Sequence, residues 1–178
     1  MVTESADWNL RNKWGGPAKW SEKAAMSIIE KSIDVNVPAS TAYNQWTQFE
    51  EFPRFMEGVE EVRQIDDTHT HWRVNLAGKV REFEAVITEQ IPDKRIAWRA
   101  RGGTYNSGVI TFHYLNERTT RLMLQMEYEP EGAVEKVGDM LGVVSRRVQA
   151  DLERFKDLIE RRGAESGGWR GKIDSPTS

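Results

Sequence analysis

The chain of 178 residues contains no cysteine. That absence excludes disulfides, thiolate nucleophiles, iron-sulfur clusters and cysteine-ligated zinc in one step. Histidine is scarce, with three in all. His69 and His71 stand two apart and would share one face of a strand, but no third ligand falls at a usable spacing. Both are expected on the surface beside a turn, and no metal or other cofactor is expected. Long hydrophobic runs are also missing, and Glu4 and Asp7 stand where a secretory leader would carry basic residues before an apolar segment. The expectation is a cytoplasmic chain with no transmembrane segment. A net charge of -3 with no local cluster of Lys and Arg gives no reason to expect a nucleic-acid partner. No serine sits in a nucleophile-elbow pattern and no glycine-rich phosphate loop follows a strand; Arg101, Gly102 and Gly103 read as a strand end.

What is present fits one well-filled core: 38% hydrophobic and 30% charged residues. Residues 1–24 form a polar arm that nonetheless carries Trp8, Trp14 and Trp20. Residues 25–163 hold the regular pattern of a single domain. Residues 164–178 are rich in Gly and Ser and are expected to be a disordered tail.

Within the domain, Ile29, Ile33, Val35 and Val37 alternate along a strand over 27–37, which Pro38 stops. A short helix follows to about residue 47, then a second helical turn over 49–56 holding Phe49, Phe52, Pro53, Phe55 and Met56. From residue 59 the period is two for seventy residues. Six strands are predicted, over 59–65, 70–76, 80–90, 95–101, 108–114 and 120–129, joined by short polar turns that make neighbours antiparallel. One face is apolar and aromatic, with Trp72, Phe83, Trp98, Phe112, Tyr114, Leu124 and Met126 among its members. The other carries Arg73, Glu84, Arg99 and His113.

The last element is a helix over 131–162. Val134, Val137, Leu141, Val144, Val148, Leu152, Phe155 and Ile159 recur at three and four, a stripe that must lie on something, and the apolar sheet face is its obvious partner. Gly138 and Gly142 sit one turn apart in its first half, where each costs roughly 1 kcal/mol against alanine. They point either to a close neighbour or to space beneath the helix. Ser145, Arg146 and Arg147 read as its solvated side.

The order strand, two short helices, six-stranded meander and long helix is that of the helix-grip fold, an α+β class. The stretches IDVNVPASTAYNQWTQFEEFPRFMEGVEEVRQID, ITEQIPDKRIAWRARGG and NSGVITFHYLNERTTRLMLQMEYEP resemble the polyketide cyclase/dehydrase and lipid-transport group of the START-like superfamily, including its coenzyme-Q-binding type. The resemblance runs over about 26–162. It implies a seven-stranded antiparallel sheet curled round the C-terminal helix, with a ligand cavity between them. By alternation the expected wall is Trp72, Phe83, Trp98, Phe112, Leu124 and Met126, with Gly138, Leu141 and Gly142 above and Trp46, Phe52, Phe55 and Met56 at the mouth. Tyr114, Tyr128 and the indole N–H groups of Trp72 or Trp98 are candidate polar contacts, and a larger side chain at Leu141 is expected to block the space.

Three functions stay open at this level. The first is non-catalytic binding or carriage of a hydrophobic small molecule, such as a quinone, polyketide or lipid. The second is an aromatase/cyclase for poly-β-ketones, which needs an acid or base beside the substrate; the inward face as read holds no His, Asp, Glu or Arg. The third is a protein-interaction module working through the tryptophan-bearing arm, in a chain that is a monomer or a homodimer. If the arm assembles the chain, deleting residues 1–24 lowers the mass measured in solution; unchanged mass and stability rule that role out.

Overall fold

The computed structural model describes residues 27–102, 106–129 and 137–176. The N-terminal arm with its three tryptophans, and the start of the predicted long helix over 131–136, lie outside the described residues.

Seven strands form one antiparallel sheet in the order β1-β7-β6-β5-β4-β3-β2. They are β1 (Ser27–Val35), β2 (Val59–Gln64), β3 (His69–Leu76), β4 (Lys79–Ile91), β5 (Arg95–Arg101), β6 (Asn106–Asn116) and β7 (Thr119–Tyr128). All but β1 pair with their sequence neighbours, and β1 closes the far edge on β7, from Ser27 opposite Tyr128 to Val35 opposite Thr120. The β3–β4 hairpin turns on Ala77 and Gly78, both with positive φ (52° and 81°). The amide of Gly78 donates to Asn75 Oδ1 at 3.1 Å. Two left-handed central residues match the twist of the flanking strands.

Between β1 and β2 lie α1 (Ala39–Trp46) and a 3-10 turn (Phe49–Arg54). The strand ends at Val35, and Pro38, three residues on, starts the helix: its carbonyl receives the amide of Ala42 at 3.1 Å. Ala42, Tyr43, Trp46, Phe49 and Phe52 are buried from these two short pieces.

The long helix is α2 (Val137–Arg162). Its two halves are packed differently. Leu152, Phe155 and Ile159 are fully buried in the core cluster that also holds the aromatic side chains of α1 and the 3-10 turn. Trp46 meets Phe155 edge-on at 4.9 Å between ring centres, and Phe55 meets it at 5.2 Å. Each such side chain contributes about 1.5–3 kcal/mol by burial, and an aromatic pair adds roughly 0.5–1.5 kcal/mol. In the first half Val144 is buried, while Leu141 and Val148 are only partly so.

Two expectations need correction here. Tyr114 does not face the helix; it is 67% exposed. The β5–β6 ladder ends at Arg95 opposite Thr111, so Tyr114 lies past the end of one neighbouring strand, just before a register shift in the β6–β7 ladder.

Residues 164–176, expected as part of a disordered tail, instead run as a strap over α1 and the β4–β5 turn. Ser166 N donates to Gln45 Oε1 at 2.9 Å and Trp169 N to Thr47 Oγ1 at 3.0 Å. Gln90 and Ile173 exchange two backbone hydrogen bonds, 2.8 and 2.9 Å. Arg170 pairs with both oxygens of Asp93 at 2.9 and 2.8 Å and sits 5.8 Å over the ring of Tyr43. The strap is polar because hydrogen bonds to buried Gln45, Thr47 and Gln90 hold it, not a run of apolar side chains. Deleting residues 164–178 is expected to lower stability by about 2–4 kcal/mol, since it uncovers these groups. A urea midpoint that does not move would show that the strap merely rests on the surface.

Candidate functional site

Between the sheet and the first half of α2 is a cavity of about 430 Å³. Its wall comes from β3 to β7, its underside of the helix from Val144, Arg147, Val148, Asp151 and Leu152, and one flank from Trp46, Phe49, Phe52 and Met56. The helical residues recur at three and four, so they are one face of α2.

The sheet wall is built round three aromatic rings. Trp72 and Phe83 are cross-strand partners and stack at 6.0 Å with 5° between their planes. Trp98 lies opposite Gly108 in the β5–β6 ladder. A Cβ on Gly108 would come within 2.7 Å of the Trp98 ring and 2.6 Å of Gln125 O, so the glycine is what lets the indole lie flat across β6. Neither indole N–H is offered to the cavity: Trp72 donates to Thr70 Oγ1 at 2.8 Å and Trp98 to Asn106 Oδ1 at 3.1 Å.

Of the predicted site residues, Trp46, Phe52, Met56, Trp72, Phe83, Trp98, Leu124 and Met126 line this cavity, and Tyr128 does too. Phe55 and Phe112 are buried elsewhere in the core, Phe55 against Phe155 and Phe112 edge-on to Tyr43 at 5.4 Å. Leu141 packs on the core without lining the cavity. Gly142 is also off the lining, and nothing lies within 4 Å of where its Cβ would be. It is two positions from Val144, about 200° round the helix, so the glycine marks the outer side. The surroundings of Gly138 lie outside the described residues.

The sequence reading missed the polar rim. Arg81, Glu82, Arg147 and Asp151 all reach the cavity, with Asn75 beside them, so the inward face is not free of charged groups. Arg81 shares the parity of Phe83, Ala85 and Ile87 and was legible from alternation; Arg147 and Asp151 flank the helix stripe at three and seven beyond Val144. Arg147 is not on the solvated side: its Nη1 donates 2.8 Å to the carbonyl oxygen of Asn75 in the hairpin.

Asp151 pairs with Arg154 and accepts the amide of Glu57 at 3.3 Å. Burial nevertheless pushes its carboxyl above the ordinary carboxylate value, because desolvation outweighs Arg154, the Glu57 amide and the more distant Arg147. The residues on the outer face are engaged there. Arg73 pairs with Glu60 at 2.9 Å, His113 bonds Thr111 at 2.8 Å, and His69 bonds Asp66 at 2.9 Å in its turn.

A family profile described as polyketide cyclase / dehydrase and lipid transport matches residues 35–157. A 17.2 kDa protein of Streptomyces lincolnensis, from the melC2-rnhH intergenic region and called uncharacterized, is 56% identical over 149 residues, covering 83% of this chain and 99% of that protein. Among solved structures, the Zhui aromatase/cyclase of a Streptomyces species has a TM-score of 0.68 at 20% identity, over 81% of this chain and 99% of that one. A START superfamily protein of Mycobacterium smegmatis has a TM-score of 0.66 at 12% identity, over 76% and 98%. These last two likenesses establish the helix-grip fold. No helix among the described residues is long and apolar enough to cross a membrane.

The raised pKa of Asp151 sets the sign of a pH effect. The folded state holds this proton more tightly than the unfolded chain, so the contribution to stability is fully present below the ordinary carboxylate pKa and is lost as pH rises through the raised one. Comparing Asp151→Asn with the parent by urea unfolding across the acid range, the variant is expected to gain relative stability as pH rises through that interval. A difference independent of pH would show that Asp151 is not perturbed.

Proposed function

The chain belongs to the polyketide cyclase / dehydrase and lipid transport family, and on that premise we propose that it binds a hydrophobic, ring-bearing small molecule in the cavity under α2. The observation that carries this reading is the cavity of about 430 Å³ with stacked aromatic rings on one wall and aliphatic helix side chains facing them. Its volume falls within the range of about 300–1,000 Å³ usual for small-molecule sites. Burial of the ligand's apolar surface supplies the affinity, at roughly 25 cal/mol per Å². The flat Trp72–Phe83 pair favours a planar body such as a quinone or a polycyclic polyketide over a flexible acyl chain.

One feature favours a second reading, aldol cyclisation and dehydration of a poly-β-ketone. Asp151 lines the cavity with a raised proton affinity, and Arg147 lies beside it. A carboxyl group that exchanges a proton and a guanidinium that stabilises an enolate are the two parts such chemistry needs. Binding comes first in both readings, and turnover is what separates them.

Two measurements test the proposal. Native mass spectrometry of freshly purified protein, followed by organic extraction, is expected to show a co-purifying hydrophobic compound near one per chain. Val148→Trp, which fills the space beneath the helix, is expected to weaken binding of that compound by at least about ten-fold, the consequence of losing buried contact area. Leu141→Trp, off the lining, is expected to leave it within about two-fold. The opposite ranking of these two variants would place the ligand elsewhere.

A further inference from the structure

The rim of the cavity is charged, and its charges are answered unequally. Two carboxylates reach it, Asp151 and Glu82, and each is held by a cation that is not part of the lining. Asp151 is paired with Arg154, and the Glu57 amide binds the same oxygen. Glu82 lies 3.9 Å from Arg73, which Glu60 holds more closely at 2.9 Å. Arg147 is held in another way. Its Nη1 donates to Asn75 O at 2.8 Å, a neutral acceptor that fixes the direction of the guanidinium, and Asp151 one turn along the helix acts on its charge only at a distance, its own direct partner being Arg154. Gly58 leaves the room it occupies, because a Cβ there would collide with the guanidinium. Arg81 lines the same end of the cavity from β4, opposite Val74.

Further along, neither indole of the aromatic wall has a donor to give. Both N–H groups are already bonded to Thr70 and Asn106, so the charged partners for a polar group on the ligand are those of the rim. A neutral ligand closing over this rim would strip water from Arg147 and leave its charge answered only at a distance by Asp151, which is costly. An anionic oxygen pair answers it, and the planar fork of a guanidinium suits two oxygens better than an ammonium does.

We infer that the ligand is an amphiphilic anion: a flat aromatic or conjugated body on the Trp72–Phe83–Trp98 wall, with a carboxylate-, enolate- or sulfonate-type group bound by Arg147 at the mouth. The inference rests on the binding reading above and adds to it the ligand's charge and the end at which that charge sits.

Two fluorescent probes that share one body test it. 1-Anilinonaphthalene-8-sulfonate carries the anion, and N-phenyl-1-naphthylamine is the same ring system without it. The full chain is expected to bind the sulfonate more tightly. Arg147→Gln is expected to weaken the sulfonate about ten-fold and to change the neutral probe by less than about two-fold, the scale of one charged hydrogen bond. Arg147→Lys, which keeps the charge on a similar stem but loses the fork, is expected to restore part of the preference and guards against a general loss of packing. Equal changes for the two probes, or a sulfonate affinity that Arg147→Gln does not move, overturn the anion inference and leave the pocket reading standing. A parent chain that binds the neutral probe with no preference for the sulfonate does the same. Binding of neither probe overturns both.

Discussion

The helix is clamped at one end, and the rest of the molecule follows from that. Leu152, Phe155 and Ile159 are buried to the last per cent in the same core as Trp46, Phe52 and Phe55, and the rings meet at 4.9 to 5.8 Å across this cluster. Close-packed rings do not slide, so the axis of α2 is fixed by its C-terminal half. The sheet sets the distance on the other side. Where Phe155 is long enough to bridge the gap, Val148 and Val144, about two and three turns back, are not, and space opens under them. The cavity is thus the geometric remainder of a rigid clamp and a curled sheet.

That geometry also separates the site into two chemical regions. Along the sheet, Trp72, Phe83 and Trp98 present ring faces whose polar edges are already bonded to Thr70 and Asn106. Nothing there distinguishes one apolar body from another except shape. At the rim, Arg147 ties the helix to the β3–β4 hairpin through Asn75 while Gly58 gives it room. Asp151 sits where burial raises its proton affinity. Affinity therefore belongs to the aromatic wall and selectivity to the rim, the usual division where a few polar groups orient a ligand held by apolar burial. The same rim groups are the ones any acid-base chemistry would draw on, so carriage and catalysis share one constellation.

Much of this architecture was legible in the residues. Alternation within each strand between Val59 and Tyr128 marked which face goes inward, since a one-residue slip would expose its apolar set, although register shifts such as that between Ile87 and Glu89 break the parity locally. The order of elements then fixed the wrap of the sheet about the helix. What alternation could not supply was extent. Tyr114 obeys the inward parity and is still exposed, because the adjacent ladder stops at Arg95. The glycine pair was a weaker signal: at Gly142 the missing side chain lies on the outer side of the helix, and the space beneath is owed to short side chains at Val144 and Val148. Arg81 was readable and passed over, being charged among aromatics of the same parity. The strap escaped composition altogether. Its hold is backbone and amide hydrogen bonding to Gln45, Thr47 and Gln90, which leaves a sequence looking like a tail.

An apolar cavity of about 430 Å³ carries an energetic consequence of its own. Wall side chains that face open space forgo dispersion contacts that a filled core would give them, and native interiors seldom leave such volume uncompensated. The deficit here lies under α2 from Val144 to Leu152, beside the charged rim. The second half is locked by the aromatic clamp, and the strap ties Gln45, Thr47 and Gln90 together over α1 at the same end of the helix. The fold can therefore hold an incompletely filled site without losing its axis. A ligand that fills it restores the missing contacts only in the folded state, so binding and folding become one linked equilibrium. Stability gained on filling is drawn from the same Val144, Val148, Trp72 and Phe83 surfaces that select the ligand's shape, which ties the molecule's robustness to its occupancy.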